Sequence, residues 1–166
     1  MAILDILLYP DSRLEQTSSL VKSVDSEVLK FIFDLEETMK AGPPSVGISA
    51  PQVGRFQRIV IVNVSSKTKI PNHGRLILIN PMILHKEGYI VGREGCLSVP
   101  QYTGNVERAE QITLQALNQE GETLNYKMEG FEARVVQHEI DHLDGLLFLD
   151  RLVSRRGSLF ARKVFK

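Results

Sequence analysis

The stretch from 111 to 145, QITLQALNQEGETLNYKMEGFEARVVQHEIDHLDG, decides the fold class. Residues 111–117 and 123–128 are strand-like runs on either side of Asn118-Gln119-Glu120-Gly121, a hairpin signature. Residues 131–143 follow with helical character, and Asp144-Gly145 closes that helix. Further out, Val28, Ile32, Leu35 and Met39 recur at helical spacing over 25–41. Asp25 or Ser26 can cap that helix, and Gly42-Pro43-Pro44-Ser45 stops it. Residues 58–64 form a β-branched run that reads as a buried strand, with further strands at 76–80 and about 83–91. Residues 46–54 hold many small residues and read as a loop, and 65–75 as a polar surface loop. Helices and mostly hairpin-connected strands, without regular βαβ alternation, predict an α+β domain. Its antiparallel or mixed sheets pack around the second helix. A C-terminal helix is expected after Ser154, where Val153, Phe160, Ala161 and Val164 make one stripe interrupted by Gly157.

Composition bounds the class. The 166 residues suit one domain, 1–166, and 43% hydrophobic with 24% charged side chains is the balance of a globular chain rather than a disordered one. The longest apolar runs, such as Ile59-Val60-Ile61-Val62, are too short to cross a bilayer. The N-terminus carries no basic leader, and Asp5 and Asp11 bracket its apolar stretch, so no secretory signal is expected. A single cysteine makes no internal disulfide and asks for no oxidising compartment. Net charge is zero, but unevenly spread. The tail 151–166 has six basic residues (Arg151, Arg155, Arg156, Arg162, Lys163, Lys166) and no acid, leaving 14 basic against 20 acidic side chains in the body. Charge alone therefore gives the body no means of holding DNA, whereas the tail could meet a polyanion.

His138-Glu139-Ile140-Asp141-His142 is the pattern H-E-x-x-H. Four residues apart on a helix, both imidazoles share one face and can reach one metal ion. Glu139, one step round, can stand beside the metal without ligating it, where a base must be. A catalytic metal needs a third ligand. The extension H-E-x-x-H-x-x-G-x-x-H fails because Phe148 occupies the last histidine position, and no glutamate follows Glu139. Asp144 and Asp150 remain, and His73 and His85 read as ordinary side chains of a loop and a strand. Cys96, in Gly92-Arg93-Glu94-Gly95-Cys96-Leu97-Ser98, is the soft ligand available. A Cys-His-His set with an open fourth position is a hydrolytic site rather than a closed structural one.

Glu94-Gly95-Cys96-Leu97-Ser98 together with His138-Glu139-Ile140-Asp141-His142 closely resembles two signature motifs of peptide deformylase. The loop Ser45-Val46-Gly47-Ile48-Ser49-Ala50-Pro51-Gln52 resembles the third, G-x-G-x-A-A-x-Q. Order and spacing agree along nearly the whole chain, including Tyr9-Pro10-Asp11-Ser12-Arg13-Leu14. Ser45 and Ser49 depart from the family's first glycine and first alanine, which bears on the loop's geometry and on substrate preference more than on the reaction.

The resemblance implies removal of the formyl group from the formyl-methionine of nascent polypeptides, releasing formate. It implies one divalent metal on Cys96, His138 and His142, with water or hydroxide in the fourth position. Glu139 would move the proton as that oxygen attacks the formyl carbon. The metal, the Gln52 side-chain amide and the Leu97 backbone N–H would meet the charge on the formyl oxygen. The metal it implies is Fe²⁺ in the cell, with Ni²⁺, Co²⁺ or Zn²⁺ in purified protein. For substrate binding, Gly47 and Gly95 offer backbone to an extended peptide, Val46, Phe131 and Val135 offer an apolar wall to methionine, and Arg134 borders the mouth. The expected setting is the bacterial-type cytoplasm, with an organellar origin also open. The tail is a candidate for transient ribosome contact, and neither DNA nor membrane is an expected partner. Two rival readings share parts of this pattern: a metallopeptidase cutting internal peptide bonds, and a deformylase-like protein that binds peptides without turnover.

Overall fold

The β-branched run near residue 60 is apolar on both faces because both faces are covered. Val60 and Val62 point into a core with Leu78, Leu114, Val136 and Leu143. Ile59 and Ile61 point the other way, against Ile32, Leu35 and Met39. These residues belong to β2 (Ile59–Asn63), which lies between two helices, α1 (Ser26–Ala41) and α2 (Gly130–Leu143). The computed structural model describes residues 2–154 and 157–162. α1 starts where the Asp25 side chain accepts from the Val28 N–H at 2.9 Å, and Gly42 is its C-terminal cap.

The strands run β1 (Gly47–Ser49), β2, β3 (Arg75–Cys96), β4 (Val99–Leu117) and β5 (Thr123–Glu129), each antiparallel to the next. The described residues are thus α+β with an antiparallel sheet and two α-helices, α2 being the nearer to the C-terminus. The 123–129 strand hands the chain directly to α2, so α2 packs back over the sheet that precedes it.

Three local expectations change. The separate strands at 76–80 and 83–91 are one long β3, irregular at 79/82, 83/85 and 94/96, and β4 likewise begins at Val99 rather than 111. Pro81 cannot donate to a ladder. Asn80 takes φ 52° there, and its amide pairs with the Val21 N–H and C=O at 2.8 and 2.9 Å. The 46–54 loop contains β1, paired Gly47 to Val62 and Ser49 to Val60, followed by a 3₁₀ turn at Ala50–Val53. Its small residues serve close packing: Ile48 and Ala50 are fully buried. In the tail, Leu159–Ala161 is a strand, β6, on β4 rather than a helical stripe. Gly157, at φ 79°, turns the chain ahead of it. Val164 and the basic residues Arg155, Arg156, Lys163 and Lys166 lie outside the described residues.

Candidate active site

α2 sets His138 and His142 one turn apart, with ring centroids 5.1 Å from each other. Cys96 ends β3, at the irregularity that follows Glu94, and Sγ lies 3.3 Å from His142 Nε2. One ligand atom from each of the three residues lies within 4.8 Å of the others. A tetrahedral ion with metal–sulfur about 2.3 Å and metal–nitrogen about 2.1 Å holds sulfur and nitrogen roughly 3.5 Å apart, close to this spacing. All three residues are buried. Phe148, which stands where an extended motif would carry its third histidine, stacks on the His138 ring at 6.4 Å and is 1% exposed.

Glu139 is buried beside them. Among the described residues its Oε1 has no hydrogen-bond partner, and it lies 4.0 Å from His142 Nε2. Burial pushes its carboxyl up to about 7, against the pull of His138. Burial and the neighbouring His138 hold His142 well below its ordinary value, so its ring is neutral and keeps a lone pair. An unpartnered buried carboxylate oxygen next to a thiol and two imidazoles fits a divalent cation with a water beside it.

The second tier is an ion network. His138 Nδ1 lies 2.9 Å from Glu94 Oε1. A carboxylate only accepts, so that nitrogen carries the proton and Nε2 is the one left for a ligand role. Glu94 also accepts from Arg108 Nη2 at 2.9 Å, Arg108 Nε at 3.0 Å and Arg134 Nη1 at 2.6 Å. Burial alone would raise the Glu94 carboxyl. The bonds from His138 and Arg108 outweigh it and hold the group well below the usual carboxylate range. Arg108 bridges on to Asp141, which also accepts from Arg151 Nε at 2.6 Å.

Gln52 is 1% exposed. Its Nε2 donates to Ser98 Oγ at 3.1 Å and approaches Cys96 Sγ at 3.5 Å. Its Oε1 accepts from the Ser49 N–H at 2.9 Å and the Ser49 hydroxyl at 3.0 Å. Ser49 caps the 3₁₀ turn that carries Gln52, so the departure from alanine adds a second bond to this amide.

A cavity of about 640 Å³ opens over these groups. Val46, Gly47, Gly95, Leu97, Phe131, Arg134 and Val135 line it together with Cys96, His138 and Glu139. His142 and Gln52 stand behind that lining, both almost wholly buried. The space beside Gly47 faces α2: a Cβ there would come 2.6 Å from Glu139 Oε2 and 3.0 Å from Val135 Cγ1. Arg134 lines the wall, yet its guanidinium is taken up by Glu94 and by the carbonyls of Val106 and Ile90 at 3.0 and 2.7 Å.

Residues 3–157 match the family model described as polypeptide deformylase. A peptide deformylase of Alkalilimnicola ehrlichii is 44% identical over 167 residues, covering 100% of this chain and 91% of that protein. The chain belongs to the polypeptide deformylase family. It is an enzyme, a hydrolase of protein N-terminal processing. Among solved deformylases, that of Ehrlichia chaffeensis in complex with actinonin superposes with a TM-score of 0.87 at 38% identity, covering 93% of this chain and 91% of that one. The Met-Ala-Ser-bound class I type b deformylase of Acinetobacter baumannii gives 0.84 at 33% identity, with 91% and 99% covered.

Beyond the residues expected from the sequence, the deformylase site draws in Glu94, Arg108, Asp141, Ser98 and Ser49. Glu94, Ser98 and Asp141 lie inside the two motifs, and Ser49-Ala50-Pro51-Gln52 has the spacing of a capping box, so four of these had a local signal. Arg108, on a strand far from either motif, had none.

Proposed function

We infer that this chain hydrolyses the formyl group from N-formylmethionyl peptides, nascent chains in the cell, with a divalent metal held by Cys96, His138 and His142. The convergence of those three ligand atoms beside the unpartnered Glu139 Oε1 carries the reading. When bound, the metal would supply a Lewis acid that lowers the pKa of a coordinated water. The protein's own groups divide the remaining work. Glu139 accepts a proton on Oε1 as the formyl carbon is attacked and passes it to the departing amine. The Gln52 amide, aimed by Ser49, and the Leu97 N–H donate to the formyl oxygen as charge develops there. Glu94 fixes the His138 tautomer, and Arg134 holds Glu94 from the cavity wall.

Phe131, Val135 and Val46 give the methionine side chain its apolar wall, while Gly47 and Gly95 offer backbone to an extended peptide, with the Arg162 guanidinium beside Gly95. The Acinetobacter relative's Met-Ala-Ser-bound structure supports a short methionyl peptide as the ligand class. We assign residues 1–166 to one catalytic domain working in the cytoplasm. No helix of the described residues is long and apolar enough to cross a membrane. Fe²⁺ is the metal proposed in the cell, with Ni²⁺, Co²⁺ or Zn²⁺ as substitutes. Transient ribosome contact through the basic tail is the matching partner proposal, although Arg151 is already engaged by Asp141.

The test is formate release from formyl-Met-Ala-Ser by protein prepared anaerobically with known metal content. Wild type should release stoichiometric formate and leave an acetyl-blocked peptide with the same sequence intact. Glu139→Gln should keep its metal and lose turnover. Normal turnover by that variant would remove Glu139 from the reaction, and internal cleavage of the blocked peptide would favour a metallopeptidase.

A further inference from the structure

The cavity mouth carries one sign of charge. Lys67, Arg93 and Arg162 line it, and its acids, Glu94 and Glu139, are both buried. Among the described residues none of the three cations makes an ion pair with a carboxylate. They are also held in place. Lys67 Nζ stands 5.5 Å from the centre of the Phe131 ring, at the proposed methionine wall. Arg93 lies 3.7 Å over the Phe160 ring and donates from Nε to Asn105 Oδ1 at 3.1 Å. The Arg162 N–H donates to the Gln101 carbonyl at 2.8 Å, and its guanidinium fills the space that a Cβ on Gly95 would enter. β6 thus supplies the ring under Arg93, and Arg162, just past it, is anchored to the backbone of β4. These cations gather at the mouth of a body that outside its tail has 14 basic against 20 acidic side chains, so the local field runs against the general one.

The geometry points to a substrate preference: the rim of Lys67, Arg93 and Arg162 selects formyl-methionyl peptides with acidic side chains at the positions after methionine. This rests on the deformylase reading above. A peptide with its formyl end at Cys96 and His138 and its methionine against Phe131 leaves through this mouth. An extended chain advances about 3.3 Å per residue, so the two residues after methionine occupy the next roughly 7 Å. Carboxylates there meet the three cations, whereas ammonium groups are repelled by them. The field also attracts such peptides before contact, which puts part of the preference into the association rate.

The experiment uses the metal-loaded full chain and three C-terminally amidated peptides, formyl-Met-Glu-Glu, formyl-Met-Gln-Gln and formyl-Met-Lys-Lys. The amide removes the terminal carboxylate, so only side chains differ. At low salt kcat/KM should fall in that order, with about a three- to tenfold span between the first and last, the scale of one or two exposed ion pairs. The span should collapse near 1 M salt, where the screening length is about 3 Å. Arg162→Gln and Arg93→Gln should each narrow it, and Lys30→Gln, on the far helix α1, should not. Equal rates, a preference for the lysine peptide, or the same narrowing with Lys30→Gln overturns the selection. An equal gain for all three peptides with Arg162→Gln makes that side chain a cover and likewise overturns it. Formate from none of the three sinks the deformylase reading itself.

Discussion

Glu94→Gln keeps the shape of the side chain and removes one charge from the centre of the network. The carboxylate takes four donors on two oxygens: Arg108 Nη2 and His138 Nδ1 at 2.9 Å on Oε1, Arg108 Nε at 3.0 Å and Arg134 Nη1 at 2.6 Å on Oε2. A carboxamide offers one oxygen and turns two N–H groups toward the other pair, so two donors lose their acceptor. The Glu94 and Arg108 side chains are 5% and 3% exposed, so water cannot substitute. Breaking a buried pair in this way costs about 3–5 kcal/mol. With a urea dependence near 2 kcal/mol per molar, the unfolding midpoint should drop by about 1.5–2.5 M. Metal affinity should fall by about 10–100-fold, because the acceptor that fixes the His138 tautomer loses its charge and part of its arginine anchoring. Urea unfolding of the apo- and metal-loaded forms, with competitive chelator titration, measures both quantities. Combined with Arg108→Met, the losses should be less than additive, since each change removes what the other leaves unpaired. A Glu94→Gln protein within about 0.5 kcal/mol of wild type, binding metal as tightly, would refute the assignment of Glu94 as the network's central acceptor.

Gly47→Ala would place a methyl 2.6 Å from Glu139 Oε2, so β1 or Glu139 must move. A displacement of that size should reduce kcat by about 10²-fold and stability by about 1–3 kcal/mol, read from formate release and thermal unfolding; normal kcat would show that Glu139 position is not limiting. Ser49→Ala deletes the hydroxyl bond to Gln52 and spares the N–H bond. It should lower kcat by about two- to tenfold with little change in KM, whereas a KM effect alone would place Gln52 in ground-state binding. Far from the site, Arg75 hydrogen-bonds Glu36 and holds its carboxyl below the ordinary value. A depressed acid adds stability above its unfolded value, near 4.5, and loses it as pH falls through the folded one. Glu36→Gln should therefore cost up to about 1 kcal/mol at pH 7, with the gap to wild type closing below about pH 4; a gap that persists in acid would show packing rather than charge.

Legibility in the sequence followed burial. The 58–64 run announced a strand because both of its faces are covered, and the apolar stripe of α1 announced a helix because one face is. The long outer parts of β3 and β4 gave weak patterns. They leave Tyr89, Ile90 and Val91 exposed, and Gly88, Gly92 and Gly95 interrupt the run. β1 passed for a loop because Gly47 and Ser49 are small for a reason outside the strand, the nearness of α2 and of Gln52. Metal ligands were readable because thiol and imidazole are rare and their spacing is chemical. Their supports were not: in a sequence Arg108 looks like any surface arginine, and only the fold shows it 4% exposed between Glu94 and Asp141. The tail stripe misled because Phe160 serves Arg93 and β6 pairs with β4, contacts that follow no helical period.

Zinc-edge X-ray absorption on protein loaded with one zinc tests the central claim most directly. The account predicts one sulfur at about 2.3 Å and two imidazole nitrogens at about 2.0–2.1 Å, with the sulfur lost in Cys96→Ser. A first shell of nitrogen and oxygen alone in the wild-type protein would contradict it.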